Sequence, residues 1–312
     1  SQIKKQFEVH IGGINSKGVR LADRVVFATA LDQRSPVISA GNGRTMILWT
    51  EGTEPKIRMS IVDDLSGAVI ATFSLPAGVA PSAAFNGKEW LLTWQSAVES
   101  VVRVAIVNSD GFVLSSGAVP ATSTASPAQS APAAAWSGKT FFLTWLESAG
   151  PDQGAANRVQ LSTINAAGVP SAPVTLDSAD VLPGTPSIAG NGGRVLVSWG
   201  RPGNTLRQAL FDSDGKQLGK FIDFAWPNAV ARTITHAMTG GFATLSGSRL
   251  ALTSTDGVAL DTIEIPPAAG GGDFVVDPAN RFTFLYARSV GSAGSANFAQ
   301  TIGLPRRRPQ NR

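Results

Sequence analysis

Four stretches of this chain align without a gap: "PVISAGNGRTMILW" (36–49), "PSAAFNGKEWLLTW" (81–94), "PAAAWSGKTFFLTW" (132–145) and "PSIAGNGGRVLVSW" (186–199). In each, a proline and a tryptophan lie thirteen positions apart, with a small-residue turn ending in glycine between them. Apolar runs on either side of an Asn-Gly or Ser-Gly turn that tolerates positive φ predict a β-hairpin. Two degraded copies extend the series. "DFVVDPANRFTFLY" (273–286) has Asp273 for the proline and Tyr286 for the tryptophan, and "ITHAMTGGFATLSG" (234–247) keeps only the glycine turn.

A second phrase follows each of the first four copies and recurs after the fifth: "IRMSIVDDLSG", "VVRVAIVNSDG", "NRVQLSTINAAG", "LRQALFDSDG" and "SRLALTSTDG". Each carries an arginine (Arg58, Arg103, Arg158, Arg207, Arg249), an alternating apolar run and a glycine-closed turn. Two hairpins in succession make a four-stranded antiparallel sheet, repeated every 45 to 54 residues in the clear copies. That period and strand count are those of a propeller blade. Runs such as "TMILW" and "FFLTW" are apolar on both faces, as a sheet sandwiched between two neighbours requires. The expected fold is therefore all-β: a single β-propeller of four-stranded antiparallel blades spanning 1–304, with a basic tail at 305–312. The N-terminal "FEVHIGGINSKGVRLA" reads as a second hairpin lacking a first, and Gly18 precedes Pro36 by the same interval that separates Gly168 from Pro186. N-terminal and C-terminal strands then close one shared blade, the sixth. A spare strand near 296–303 keeps a seventh, composite blade open.

The 312 residues are long for an ordinary domain but not for a closed β ring. Only 15% are charged, and cysteine is absent. No disulfide, thiolate metal site or cysteine chemistry is available. A surface of small neutral residues and a first residue other than methionine fit a secreted or surface-exposed bacterial protein whose leader has been removed. No apolar run reaches a membrane span. The basic tail, net charge +4 overall, has no interleaved aromatics and points to no nucleic acid.

The pattern "P-x-x-A-x-N-G-x-x-W-L-L-T-W … V-x-V-A-x-V-N-S-D-G" resembles the β-propeller repeats of large bacterial secreted and surface proteins. That resemblance rests on fold-forming positions and implies a binding or assembly module. Sialidases share the architecture, but their Asp box (Ser-x-Asp-x-Gly-x-Thr-Trp) is not matched by "NSDGFVL", "DSDGKQL" or "STDGVAL", which lack the following aromatic. Tyr286, the only tyrosine, sits in the tryptophan register rather than as a free nucleophile. Other propeller glycosidases need carboxylates converging on one cavity. Most acids here lie in turns, and the candidates nearer the face are Glu51, Glu99, Glu147 and Asp152.

The expected function is accordingly non-catalytic, without a cofactor: binding to other protein subunits of an extracellular or envelope assembly, with carbohydrate binding as the alternative. Trp49, Trp94, Trp145 and Trp199 are periodic and expected in the core. Trp136 and Trp226 lie off that register and are candidates for a sugar or protein contact, against a packing role. Arg103, Arg158 and Arg207 represent the arginine row, which is either a basic belt for an anion or scaffolding. Two long loops on the arginine-bearing face, 121–131 and 147–157, add Glu147, Asp152 and Gln153 as contact candidates. "DSDG" (212–215) resembles part of a calcium loop but has no late carboxylate. His10 and His236 lack the companions a zinc site or a triad needs.

Overall fold

A computed structural model of the chain describes residues 8–11, 24–122, 128–148, 157–181, 186–228, 230, 232–265, 273–276, 279–289 and 295–303. These residues are β-strands and turns, and they fall into two compact units, Ser1–Ala179 and Asp180–Arg312.

In the first unit, β1 (His10–Ile11) and β2 (Arg24–Val25) form an antiparallel pair. The first sheet follows as β3 (Gln33–Gly41), β4 (Arg44–Glu51), β5 (Lys56–Asp63) and the opening of β6 (Val69–Phe85). β6 is 17 residues long: Val69–Ala77 pairs with β5, and Gly78–Phe85 pairs with the next strand. It thus ends one sheet and begins the second, completed by β7 (Glu89–Ser96), β8 (Val102–Asn108) and β9 (Val113–Ala118). The third sheet runs β10 (Ala128–Trp136), β11 (Phe141–Ser148), β12 (Asn157–Ile164) and β13 (Val174–Val181).

The second unit contains a fourth sheet of β14 (Ser187–Asn191), β15 (Arg194–Arg201), β16 (Thr205–Asp212) and β17 (Gln217–Ala225). A fifth comprises β18 (Ile234–Met238), β19 (Gly241–Ser246), β20 (Arg249–Ser254) and β21 (Ala259–Glu264). The last has three strands, β22 (Asp273–Val276), β23 (Arg281–Ser289) and β24 (Ser295–Gly303). β24, expected to be spare, pairs along β23 from Ser289↔Ser295 to Arg281↔Gly303. Each four-stranded sheet is a meander resembling a propeller blade, and the hairpin phrases of the sequence map onto its inner and outer strand pairs.

Within each unit apolar cores lie between consecutive sheets, which is why the middle strands are apolar on both faces. One cluster joins Met46, Met59 and Ile61 of the first sheet to Trp90, Leu92 and Trp94 of the second. Another joins Leu91, Val104 and Ile106 to Phe141, Leu143 and Trp145 of the third. In the second unit, Leu196 and Leu210 meet Phe242, and Leu250 and Leu252 meet Phe274 and Phe282. Trp49, Trp94, Trp145 and Trp199 are all at most 2% exposed, which settles their role as core. Burying an aromatic of this size contributes roughly 2–3 kcal/mol or more from apolar area alone.

The repeat proline marks a β-bulge. Pairing slips between Arg34 and Val37, Val79 and Ser82, and Ser130 and Ala133, and the residue before each proline (Ser35, Ala80, Ala131) has φ near +50°. The proline itself then occupies a place where no ladder hydrogen bond is required of it. In the outer hairpins, Gly111 (φ 91°) and Gly168 (φ 78°) adopt left-handed turns and lie against the preceding sheet. A Cβ on Gly168 would stand 2.3 Å from Ser115 Oγ, and one on Gly111 would stand 2.2 Å from the Phe73 ring. These glycines serve both turn geometry and close approach.

A buried glutamine locks adjacent sheets together, a feature the sequence reading missed. Gln129, wholly buried on β10, accepts from Val102 N–H (2.8 Å) and donates to the Pro120 carbonyl (3.3 Å) of the sheet before it. Gln33 on β3 accepts from Val9 N–H (2.6 Å) and donates to the Phe27 carbonyl (2.8 Å). Val26 N–H bonds to the Val9 carbonyl just as Val119 N–H bonds to that of Val102. The N-terminal strands therefore stand to the first sheet as an outer hairpin stands to the sheet after it.

Candidate functional site

The recurring arginine is mostly paired. Arg58 Nε contacts Glu51 Oε1 at 3.0 Å, Arg103 pairs with Glu99, and Arg249 Nε meets Glu264 Oε1 at 2.7 Å. Arg207 holds Asp223 through two parallel bonds of 2.7 and 2.6 Å. Cross-strand register creates the Arg207–Asp223 and Arg249–Glu264 pairs, since each acid lies directly opposite its arginine. Three guanidiniums also sit over rings: Arg58 over Phe27, Arg207 over Phe221 and Arg249 over Trp226, at 4.8–5.8 Å. The Arg207 hydrogen bond outweighs burial and holds the Asp223 carboxyl below the usual carboxylate range.

Arg158 departs from this row. Arg58, Arg103, Arg207 and Arg249 each lie five positions before the polar residue that opens their turn, whereas Arg158 lies seven before Asn165. Opposite Trp49, Trp94 and Trp199 the partner strand presents Arg58, Arg103 and Arg207. Opposite Trp145 it presents Gln160, while Arg158 faces Glu147 one pleat nearer the loop. Gln160 is thus the true counterpart of the arginines, and the five-residue spacing was the signal that identifies it. Arg158 is half-buried and makes no ion pair or hydrogen bond among the described residues. Glu147, only 1% exposed, is engaged instead by the Thr122 hydroxyl and, at 3.3 Å, by Thr122 N–H. Asp152 and Gln153 lie outside the described residues, as do 123–127 and 149–156 of the two long loops.

The two off-register tryptophans part company. Trp226, expected to be available on a connection, is 6% exposed and packs with Leu206, Phe224 and Val230. Its Nε1–H donates to the Ser246 carbonyl at 3.2 Å, so its polar tip is satisfied inside the protein. It is core and offers no stacking surface. Trp136 is half-buried, packs edge-on against Phe141 with ring centroids 4.8 Å apart, and lines a pocket of about 100 Å³.

The residues that open these outer turns are structural. Asn108, Asn165 and Asp212 each accept from the N–H groups two and four residues on, at 2.9–3.0 Å. The Lys216 N–H, assisted by that of Asp214, holds the Asp212 carboxyl below its ordinary value. One carboxylate oxygen of "DSDG" is therefore spent on its own turn. Among the described residues no group of three or more His, Asp or Glu side chains is placed to hold a metal ion. His236 Nε2 lies 3.2 Å from Asp273, linking β18 to β22. Among the described residues no hydroxyl hydrogen-bonds to His236. Burial pushes the Asp273 carboxyl up, but His236, the Phe274 N–H and Arg232 together hold it below the usual range.

Neither a family model nor a curated protein matches this chain. Solved structures do. The chain is similar to the subtype N10 neuraminidase-like protein of A/little yellow-shouldered bat/Guatemala/060/2010 (10% identity, 87% of this chain and 92% of that one, TM-score 0.53). It is also similar to the N11 neuraminidase-like protein of A/flat-faced bat/Peru/033/2010 (12%, 96% of each, TM-score 0.52). A third likeness is to the Dos1 propeller (10%, 90% of this chain and 69% of that one, TM-score 0.53). The likeness is one of fold. At such identities it says nothing about activity, and the blade-like sheets are what the three share with this chain.

Proposed function

We propose that this protein is a non-catalytic β-propeller module that binds a protein partner within a larger assembly, and that it works at the bacterial cell surface or outside the cell. The observation that carries this reading is Arg158: among the described residues a cation without an ion-pair partner, on the strand end next to the two long loops, in a row where the four other arginines are paired. A guanidinium left free on a rigid sheet is an anchor for a carboxylate on a partner surface. Glu51, Glu99 and Glu147, the acids considered as glycosidase groups, are engaged by Arg58, Arg103 and Thr122, which supports the non-catalytic reading.

A six-bladed ring completes the proposal, with the C-terminal strands and the pair β1–β2 sharing the closing blade. One feature supports it: Gln33 grips β1–β2 as Gln129 grips an outer hairpin.

Carboxylate-directed cross-linking mass spectrometry on the native envelope tests the function. Links from Glu99 or Asp152 to one defined protein, lost in Arg158→Glu and retained in Arg207→Ala, support it. Links confined to this chain, or a pattern indifferent to Arg158→Glu, overturn it.

A further inference from the structure

The pocket beside Trp136 has a cause in the repeat. At the joint of the first and second sheets, the residue before the inner turn is Phe85, and its ring lies on the backbone of Gly41. A Cβ built on Gly41 would come within 2.0 Å of that ring. Phe85 also stacks on Trp90 across its own turn, at 4.6 Å between centroids, so the joint is filled. At the next joint the aligned pair is Trp136 and Asn86. Trp136 likewise packs across its turn, edge-on against Phe141. But Asn86 carries a side chain where Gly41 has none, so the indole cannot seat on the neighbouring backbone and the pocket stays open.

What lines this gap is a mixture of one kind. Trp136, Phe141 and Ile164 form an apolar, aromatic floor, and Asn86, Glu89, Lys139 and Asn165 stand around it. Asn86 Oδ1 accepts from Lys88 and Glu89 N–H, and Asn165 Oδ1 accepts from Ala167 and Val169 N–H, so each oxygen is turned into its own loop. The amide NH₂ groups are left as donors. The Glu89 carboxylate, a half-buried acceptor, is paired with Lys88 Nζ at 3.1 Å. Donors and an acceptor around an aromatic floor match a ligand with one apolar face and hydroxyls that both give and take hydrogen bonds. That ligand is a sugar ring. The volume limits its size: about 100 Å³ is well below the roughly 300–1,000 Å³ of sites that engulf drug-sized molecules.

We propose that the cleft between the second and third sheets, floored by Trp136, binds a single pyranose residue at the end of a glycan. The site lies at the turn end of these sheets, opposite the loop end that carries Arg158, and is independent of the protein-contact reading. Inside the cleft the ring stacks on the indole, while its hydroxyls donate to Glu89 and accept from Asn86 and Asn165.

The test is saturation-transfer NMR with the methyl glycosides of glucose, galactose, mannose and N-acetylglucosamine, with backbone shift mapping. Trp136→Phe installs the side chain that Phe85 already supplies at the equivalent position, so the fold should persist; Glu89→Gln removes an acceptor without changing shape. The expected result is transfer from at least one glycoside, with shifts at Asn86, Lys139 and Asn165. Affinity should fall roughly tenfold or more in each variant. If Trp136→Phe fails to fold by circular dichroism, Glu89→Gln carries the test. No transfer from any glycoside, transfer unaltered in the folded variants, shifts centred elsewhere, or binding of free amino acids but no glycoside would each overturn the proposal.

Discussion

Replacing Gln129 with leucine isolates the device that joins one sheet to the next. Leucine nearly matches glutamine in volume and suits a fully buried site, so packing loss is small. What disappears is the pair of bonds to Val102 N–H (2.8 Å) and the Pro120 carbonyl (3.3 Å). Val102 is wholly buried and its N–H finds no substitute, whereas Pro120 is an exposed residue just past β9, so losing its bond costs only the ordinary value. A stranded buried backbone group costs about 1–3 kcal/mol. Adding about 0.5–1.5 kcal/mol for the Pro120 bond, less about 1 kcal/mol regained by burying an apolar side chain in place of an amide, gives a net loss of about 0.5–3.5 kcal/mol. Because sheets in such an array contact mainly their neighbours, the loss is local. Amide hydrogen exchange is the assay: Val102 N–H should exchange faster by a factor between roughly two and four hundred, with little change in the fifth sheet. Gln33→Leu should do the same to Val9. A Gln129→Leu protein within about 0.5 kcal/mol of the parent, with Val102 still protected, would refute the reasoning.

Three further outcomes follow from the same geometry. Ala131→Val places a β-branched residue at φ +51° and should destabilise by about 1–2 kcal/mol in urea titration, while Ala131→Gly should be neutral or mildly stabilising. Gly168→Ala should cost about 2 kcal/mol or more, because the new methyl meets both a left-handed turn and Ser115 Oγ at 2.3 Å; an unchanged melting temperature would contradict this. Asp223 has its folded pKa depressed by Arg207, so its contribution is present above the unfolded carboxylate value near 3.9 and is lost as pH falls through the lower folded value. Asp223→Asn should therefore flatten the acid limb of the stability curve below about pH 4, by no more than about 1 kcal/mol since the pair is half-exposed.

How far the sequence could be read depended on whether a residue acts within its own repeat or across to another. The proline, turn glycine and tryptophan act locally, at a bulge, a turn and a sheet centre, so their periodic spacing revealed hairpins, meander order and the four core tryptophans. The pairing of the arginines was legible in part, because Asp223 and Glu264 lie opposite Arg207 and Arg249 only once the outer hairpin register is known. Arg158 was grouped with the row by its phrase, though its distance to Asn165 already set it apart.

Packing between sheets was decided by the tertiary structure alone. Trp226 reads as a linker residue, yet it is buried because the fifth sheet supplies an apolar wall and the Ser246 carbonyl. Gln33 and Gln129 look like ordinary strand polar residues until the sheet before them presents an unpaired N–H and C=O. The Trp136 cleft exists because Asn86, fifty positions earlier, is not glycine. Periodicity along one chain records the dihedral and pleat demands of each repeat. It carries no record of which side chains from different repeats end up face to face, because that is set by how the sheets stack.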